Sequence, residues 1–112
     1  MSEGAVRYQR DGVVGRITFD RPAARNAMTW IMYDELARAC EKIAADSEVR
    51  VAVLRGAGGK AFVAGTDIGQ FRDFKSGEDG VDYERQVAKY LAAVEELPVP
   101  TIAVIEGWAI GG

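Results

Sequence analysis

The 112-residue chain has no histidine and a single cysteine, Cys40. Without an imidazole, these residues cannot assemble a Ser-His-Asp or Cys-His arrangement, and no histidine can ligate a metal. One cysteine allows neither an intrachain disulfide nor a cysteine-rich metal framework, which fits a reducing compartment. No apolar run approaches the ~20 residues of a membrane span. Met1-Ser2-Glu3-Gly4 also lacks the basic and apolar regions of a secretory leader, so the cytoplasm is the expected location and no membrane partner is expected. Nor is there a run of basic residues: 14 Lys+Arg against 17 Asp+Glu leave a net charge of −3, which argues against nucleic acid as a partner.

What is present suits a globular chain with length for one domain at most: 48% hydrophobic and 28% charged residues. Its last stretch is apolar, with nothing after it to cover Trp108 and Ile110, and is read as the point of a truncation. Arg7, Arg10, Arg16, Arg21 and Arg25 make the first quarter locally basic, mostly as solvated surface arginines.

Ala5 to Arg10 and Val13 to Phe19 read as two strands joined by the hairpin signal Asp11-Gly12. Pro22 then turns the chain. With Thr29 as N-cap, Met28, Met32, Leu36, Ala39, Cys40, Ile43 and Ala44 fall at three- and four-residue spacing, an amphipathic helix to about Ala45. Cys40 lies on that stripe and is a core residue, since nothing is present to activate it. Val49 to Leu54 is a buried strand leading into Gly56-Ala57-Gly58-Gly59, a tight turn and not a nucleotide loop, because Ala61 stands at the third glycine position.

Ala61 to Val63 resumes as a strand into a small-residue turn, Ala64 to Ile68, where Gly65 can take φ > 0 and a ligand can approach the backbone. Ile68 to Phe74 suggests one helical turn, and Lys75 to Gly80 a surface loop. Tyr83 to Leu97, with Val87, Tyr90, Leu91 and Val94 on one face, is a second amphipathic helix stopped by Pro98 and Pro100. Thr101 to Ile105 is a buried strand before a second glycine turn. The order strand, strand, helix, strand, helix, strand gives an α/β domain with parallel pairing across the helical crossovers.

Phe62-x-Ala64-Gly65-x-Asp67-Ile68 is followed about forty residues later by Pro100-x-Ile102-Ala103-x-Ile105-x-Gly107-x-Ala109-x-Gly111-Gly112. Together with Arg21-Pro22-x-x-x-Asn26-Ala27-Met28 upstream, this ordered set resembles the enoyl-CoA hydratase/isomerase (crotonase) superfamily, from about Val13 to Gly112. The resemblance implies a crotonase-like spiral of β-β-α repeats, incomplete in this chain, with both glycine turns at one end of neighbouring strands. Residues 1–112 would be the N-terminal part of one acyl-CoA-binding domain, the remainder being absent.

The activity so implied is hydration of 2-enoyl-CoA thioesters, whose enolate charge is held by two backbone N–H groups. Carried over, those donors are Thr66 and Gly112. The hydroxyl of Thr66, where the family often has alanine, narrows the pocket. Arg25 would meet the CoA phosphates; Ala64, Gly65, Thr66, Asp67 and Ile68 would wrap the adenine and pantetheine, with Trp108 and Gly111 completing the contact. Asp67 would hold its turn by accepting backbone N–H bonds. Glu106 stands where the family commonly has asparagine and is not a catalyst. No cofactor is tightly bound, coenzyme A being part of the substrate.

The family's two hydratase glutamates fall after the glycine run, so the 112 residues alone are expected to be inactive. Full-length relatives form trimers or hexamers through C-terminal helices. Isomerases, dehydratases and dehalogenases share this front half, and a non-catalytic acyl-CoA-binding or partner-binding module remains the reading of a different class.

Overall fold

The structure, a computed structural model, describes residues 3–67, 69 and 77–111. Strands β1 (Ala5–Asp11) and β2 (Val14–Asp20) form an antiparallel hairpin with Asp11 opposite Val14. Its two-residue loop is Gly12-Val13, one step later than the expected Asp11-Gly12, because the left-handed φ of +61° falls on Gly12 at the first loop position.

A single 3-10 turn, Pro22–Ala24, leads to helix α1 (Trp30–Ala45). Thr29 caps it as expected: its Oγ1 accepts the Met32 N–H at 3.3 Å, satisfying one of the first-turn donors, and donates to the Glu3 carbonyl at 2.8 Å. Met32, Leu36, Ala39, Cys40 and Ile43 are buried as their spacing requires. The stripe is displaced to one side, however: Tyr33 is buried and Ala44 exposed. The second helix lies against the Tyr33 flank, where the rings of Tyr33 and Tyr90 stack with centroids 5.6 Å apart, and no described element covers Ala44.

Strand β3 (Val51–Gly56) pairs parallel with β2, and β5 (Thr101–Val104) pairs parallel with β3, giving the sheet order β1-β2-β3-β5. Both crossovers carry a helix, as parallel neighbours need. Strands β4 (Ala61–Ala64) and β6 (Trp108–Ile110) form a separate parallel pair. The β6 segment reads in the sequence only as part of a glycine turn, since three residues between glycines carry no periodicity. Ile17, Met32 and Ala52 have no accessible surface and mark the centre of the core between α1 and the sheet.

Two expectations are corrected. Helix α2 runs from Gly77 to Glu95, so Gly77 to Gly80 form its first turn instead of a surface loop, and Glu78 and Asp79 there favour the positive helix end. β5, expected to be buried, is exposed at all four positions, because it is the edge strand, paired with β3 on one side only. Ile102, Val104, Ile105, Trp108 and Ile110 are between 40% and 59% exposed. The helical turn expected over Ile68 to Phe74 lies outside the described residues apart from Gly69. Among the described residues no helix is long and apolar enough to cross a membrane.

Candidate functional site

After β4 the chain turns through Gly65, whose φ is +69°. Met28 grips this turn from the side. Its N–H donates to the Gly65 carbonyl at 2.8 Å, and its carbonyl accepts the Asp67 N–H at 2.9 Å. Thr66 is thereby bridged to Met28 in parallel register, which directs the N–H of Thr66 itself away from Met28. That N–H has no acceptor among the described residues.

The segment before α1 is built to hold this grip. Asn26 is completely buried at φ +60°, a left-handed conformation that asparagine tolerates. Its Oδ1 accepts the Arg21 N–H at 2.8 Å, while Nδ2 donates to the carbonyls of Ala57 and Ala61 at 3.1 and 3.0 Å. One side chain thus joins the loop after β2, the loop after β3 and the start of β4. Arg21 is not a solvated surface arginine: its side chain is only 9% exposed and its Nη1 lies 2.7 Å from the Asp67 carboxylate.

The other Asp67 oxygen accepts the Gly69 N–H at 2.7 Å. Asp67 therefore braces the turn, as expected, with Arg21 as a partner the sequence did not name. Arg7, Arg10 and Arg16 are also paired, with Asp20, Glu48 and Asp11. Arg25 is exposed, and no described side chain pairs with it.

The second glycine turn meets the first. Gly111, at φ +81°, lies so close that a Cβ placed on it would stand 2.9 Å from the Cα of Gly65. Both turns follow paired strands, β4 and β6, at the same end. Trp108 begins β6, its N–H donating to the Lys60 carbonyl at 3.1 Å. Glu106 is half exposed, 3.8 Å from Arg55. Gly112 and Ile68 lie outside the described residues. Among the described residues no group of three or more His, Cys, Asp or Glu side chains could hold a metal.

Beside Gly65 and Thr66 opens a cavity of about 260 Å³, walled by α1, α2 and the sheet. Tyr33 reaches it from α1, its hydroxyl 2.7 Å from the Oγ1 of Thr66. Burial raises the Tyr33 pKa, an effect the Thr66 hydrogen bond partly offsets, so the phenol stays protonated near neutral pH. The sequence carried a faint signal for Tyr33, a hydroxyl-bearing aromatic one position after Met32 on the apolar stripe. Cys40, by contrast, behaves as read: buried, with burial first and neighbouring Glu41 second pushing its thiol pKa up to about 11.

Residues 9–112 match the sequence profile of the enoyl-CoA hydratase/isomerase family. The chain belongs to that family. It is 36% identical over 107 residues to a short-chain-enoyl-CoA hydratase of Clostridium acetobutylicum, covering 96% of this chain and 41% of the relative. A mouse mitochondrial enoyl-CoA hydratase domain-containing protein 2 is 33% identical over 99 residues, 88% of this chain and 33% of its own. A crystal structure of an enoyl-CoA hydratase/carnithine racemase from Magnetospirillum magneticum superposes with a TM-score of 0.89 at 37% identity, covering 99% of this chain and 41% of that one.

The α/β architecture is therefore the crotonase fold, and the chain spans about two fifths of the length of the Clostridium relative. Membership of the enoyl-CoA hydratase/isomerase family gives the Met28 grip and the meeting of two glycine turns a shared setting. Both lie within the matched residues.

Proposed function

We propose that this chain carries the thioester-binding and oxyanion half of an enoyl-CoA hydratase, with the backbone N–H groups of Thr66 and Gly112 as donors to the enolate oxygen. The observation that supports it most is the Thr66 N–H, turned away from Met28 and without an acceptor among the described residues, in a turn braced by Asn26, Arg21 and Asp67. A donor aimed beforehand needs no reorganisation when charge develops on the substrate, the usual source of oxyanion stabilisation. Exposed Arg25 supplies charge for the CoA phosphates; Ala64, Gly65, Asp67, Ile68, Trp108 and Gly111 form the rest of the CoA contact. Coenzyme A enters as part of the substrate.

Residues 1–112 are the first part of one domain, and its remainder covers the exposed apolar side chains of β5 and β6. That remainder brings the two acids that handle water, so the 112-residue chain binds thioesters without hydrating them. The complete protein works in the cytoplasm as a homo-oligomer in fatty-acid metabolism. Titration calorimetry of the chain with CoA and an acyl-CoA tests the reading. Micromolar to millimolar affinity, reduced several-fold by Arg25→Glu, is the expected result, and no binding of either ligand would refute it.

A further inference from the structure

Met28 holds the turn after β4 through the Gly65 carbonyl and the Asp67 N–H, at 2.8 and 2.9 Å, and neither bond ends on an atom of Thr66. Gly65, at φ +69°, adds no stiffness of its own, because glycine passes easily between backbone conformations. What holds Thr66 itself is its side chain, whose Oγ1 lies 2.7 Å from the Tyr33 hydroxyl. Threonine is β-branched and stiff at χ1, so a bond to Oγ1 restrains Cβ and, through it, the backbone of the same residue. An alanine at this position would offer the same N–H and give Tyr33 nothing to hold.

Tyr33 is itself immobilised from both helices. It is 4% exposed, its ring stacks on Tyr90 of α2 and meets Trp30 of α1 at 5.8 Å, and Trp30 meets Tyr83 of α2 edge-on at 5.4 Å. Met28, Leu36, Leu54 and Phe62 line the same space as the two hydroxyls, and in apolar surroundings a hydrogen bond is stronger than in water. We propose that Tyr33 is a positioning residue for the thioester site: its hydroxyl, acting through Oγ1 of Thr66, sets the direction of the Thr66 N–H. This rests on the acyl-CoA reading above. Tyr33 touches no reacting atom. Without it the Thr66 hydroxyl turns to a local backbone partner, as threonine hydroxyls do, and the N–H leaves the line to the carbonyl oxygen. A hydrogen bond weakens steeply as that line bends.

The test reads the carbonyl stretch of 2-butenoyl-CoA bound to the 112-residue chain, by infrared difference spectroscopy, beside the affinities for that thioester and for CoA. Donors on the carbonyl oxygen lower its frequency, so the parent chain should show a downshift. Tyr33→Phe should lose about half of it, one of the two donors being misaimed, with little change in the affinity for CoA. Thr66→Val should lose as much, the double variant no more than either, and Thr66→Ser should recover most of the loss. Tyr90→Phe keeps the ring stack and should keep the parent frequency. Tyr33→Phe at the parent frequency overturns the positioning role and leaves the oxyanion reading standing. So does Thr66→Val at the parent frequency when Tyr33→Phe has lost the shift, since the phenol would then act on the oxygen directly. A parent chain that binds the thioester without a downshift overturns the oxyanion reading and this one with it. Failure of both CoA and the thioester to bind overturns the acyl-CoA reading altogether.

Discussion

The phenolic oxygen of Tyr33 lies 2.7 Å from Oγ1 of Thr66, a bond that joins the inner face of α1 to the turn after β4. Stacking on Tyr90 and a tilted contact with Trp30 hold the Tyr33 ring in place, so the hydroxyl is a fixed point against which the turn is set.

Tyr33→Phe removes that point without changing the ring. The loss should be about 1 kcal/mol, the usual net worth of such a bond, and somewhat more if Thr66 is left without a partner. In urea unfolding, Thr66→Val should cost a similar amount, and the double variant little more than either single one. A fully additive double variant would mean that the two hydroxyls do not depend on each other.

Asn26 satisfies three backbone groups, the Arg21 N–H and the Ala57 and Ala61 carbonyls. Asn26→Ala strands all three beneath a buried surface. The expected destabilisation is roughly 2–4 kcal/mol. Asn26→Gly preserves the left-handed backbone and should recover little, because the lost bonds dominate over the strain. Thermal unfolding of the two variants separates these terms.

Gly65 and Gly111 both have positive φ, but their surroundings differ. A Cβ on Gly65 meets nothing closer than the Ile110 carbonyl at 3.7 Å, whereas one on Gly111 meets the Gly65 Cα at 2.9 Å. Gly65→Ala should therefore cost about 1 kcal/mol of backbone strain. Gly111→Ala should cost more and push the two turns apart. Acyl-CoA affinity, measured beside stability, should fall further for Gly111→Ala.

The Cys40 thiol titrates near 11 in the folded chain, above its value when exposed. Between about pH 8.5 and pH 11 the unfolded chain releases this proton and the folded chain keeps it, so stability falls as pH rises. The contribution is on the order of 3 kcal/mol across that window. Comparing the pH dependence of unfolding in the parent chain and Cys40→Ala isolates it. Parallel curves would remove burial of the thiol as the cause. Iodoacetamide should label the native thiol slowly at pH 8.

The sequence by itself determined what depends on local spacing. Thr29 capped its helix, the 32-36-39-40-43 stripe faced the core, and the order of elements gave parallel pairing, because caps and periodicity act within a few residues. The ordered motifs around Asn26, Gly65 and Gly111 identified the family on their own.

The tertiary structure decided what depends on distant partners. That Arg21 would be buried against Asp67, or Tyr33 bonded to Thr66, cannot be read from pairs 46 and 33 residues apart. The apolar pattern of Thr101 to Val104 signalled burial, yet burial belongs to whatever packs on a strand, and β5 has β3 on one side only. The first turn of α2 was hidden for a related reason. Gly77 and Gly80 have low helix propensity, and the aromatic contacts of Tyr83 and Tyr90 with α1, which anchor the helix, arise only once the two helices meet.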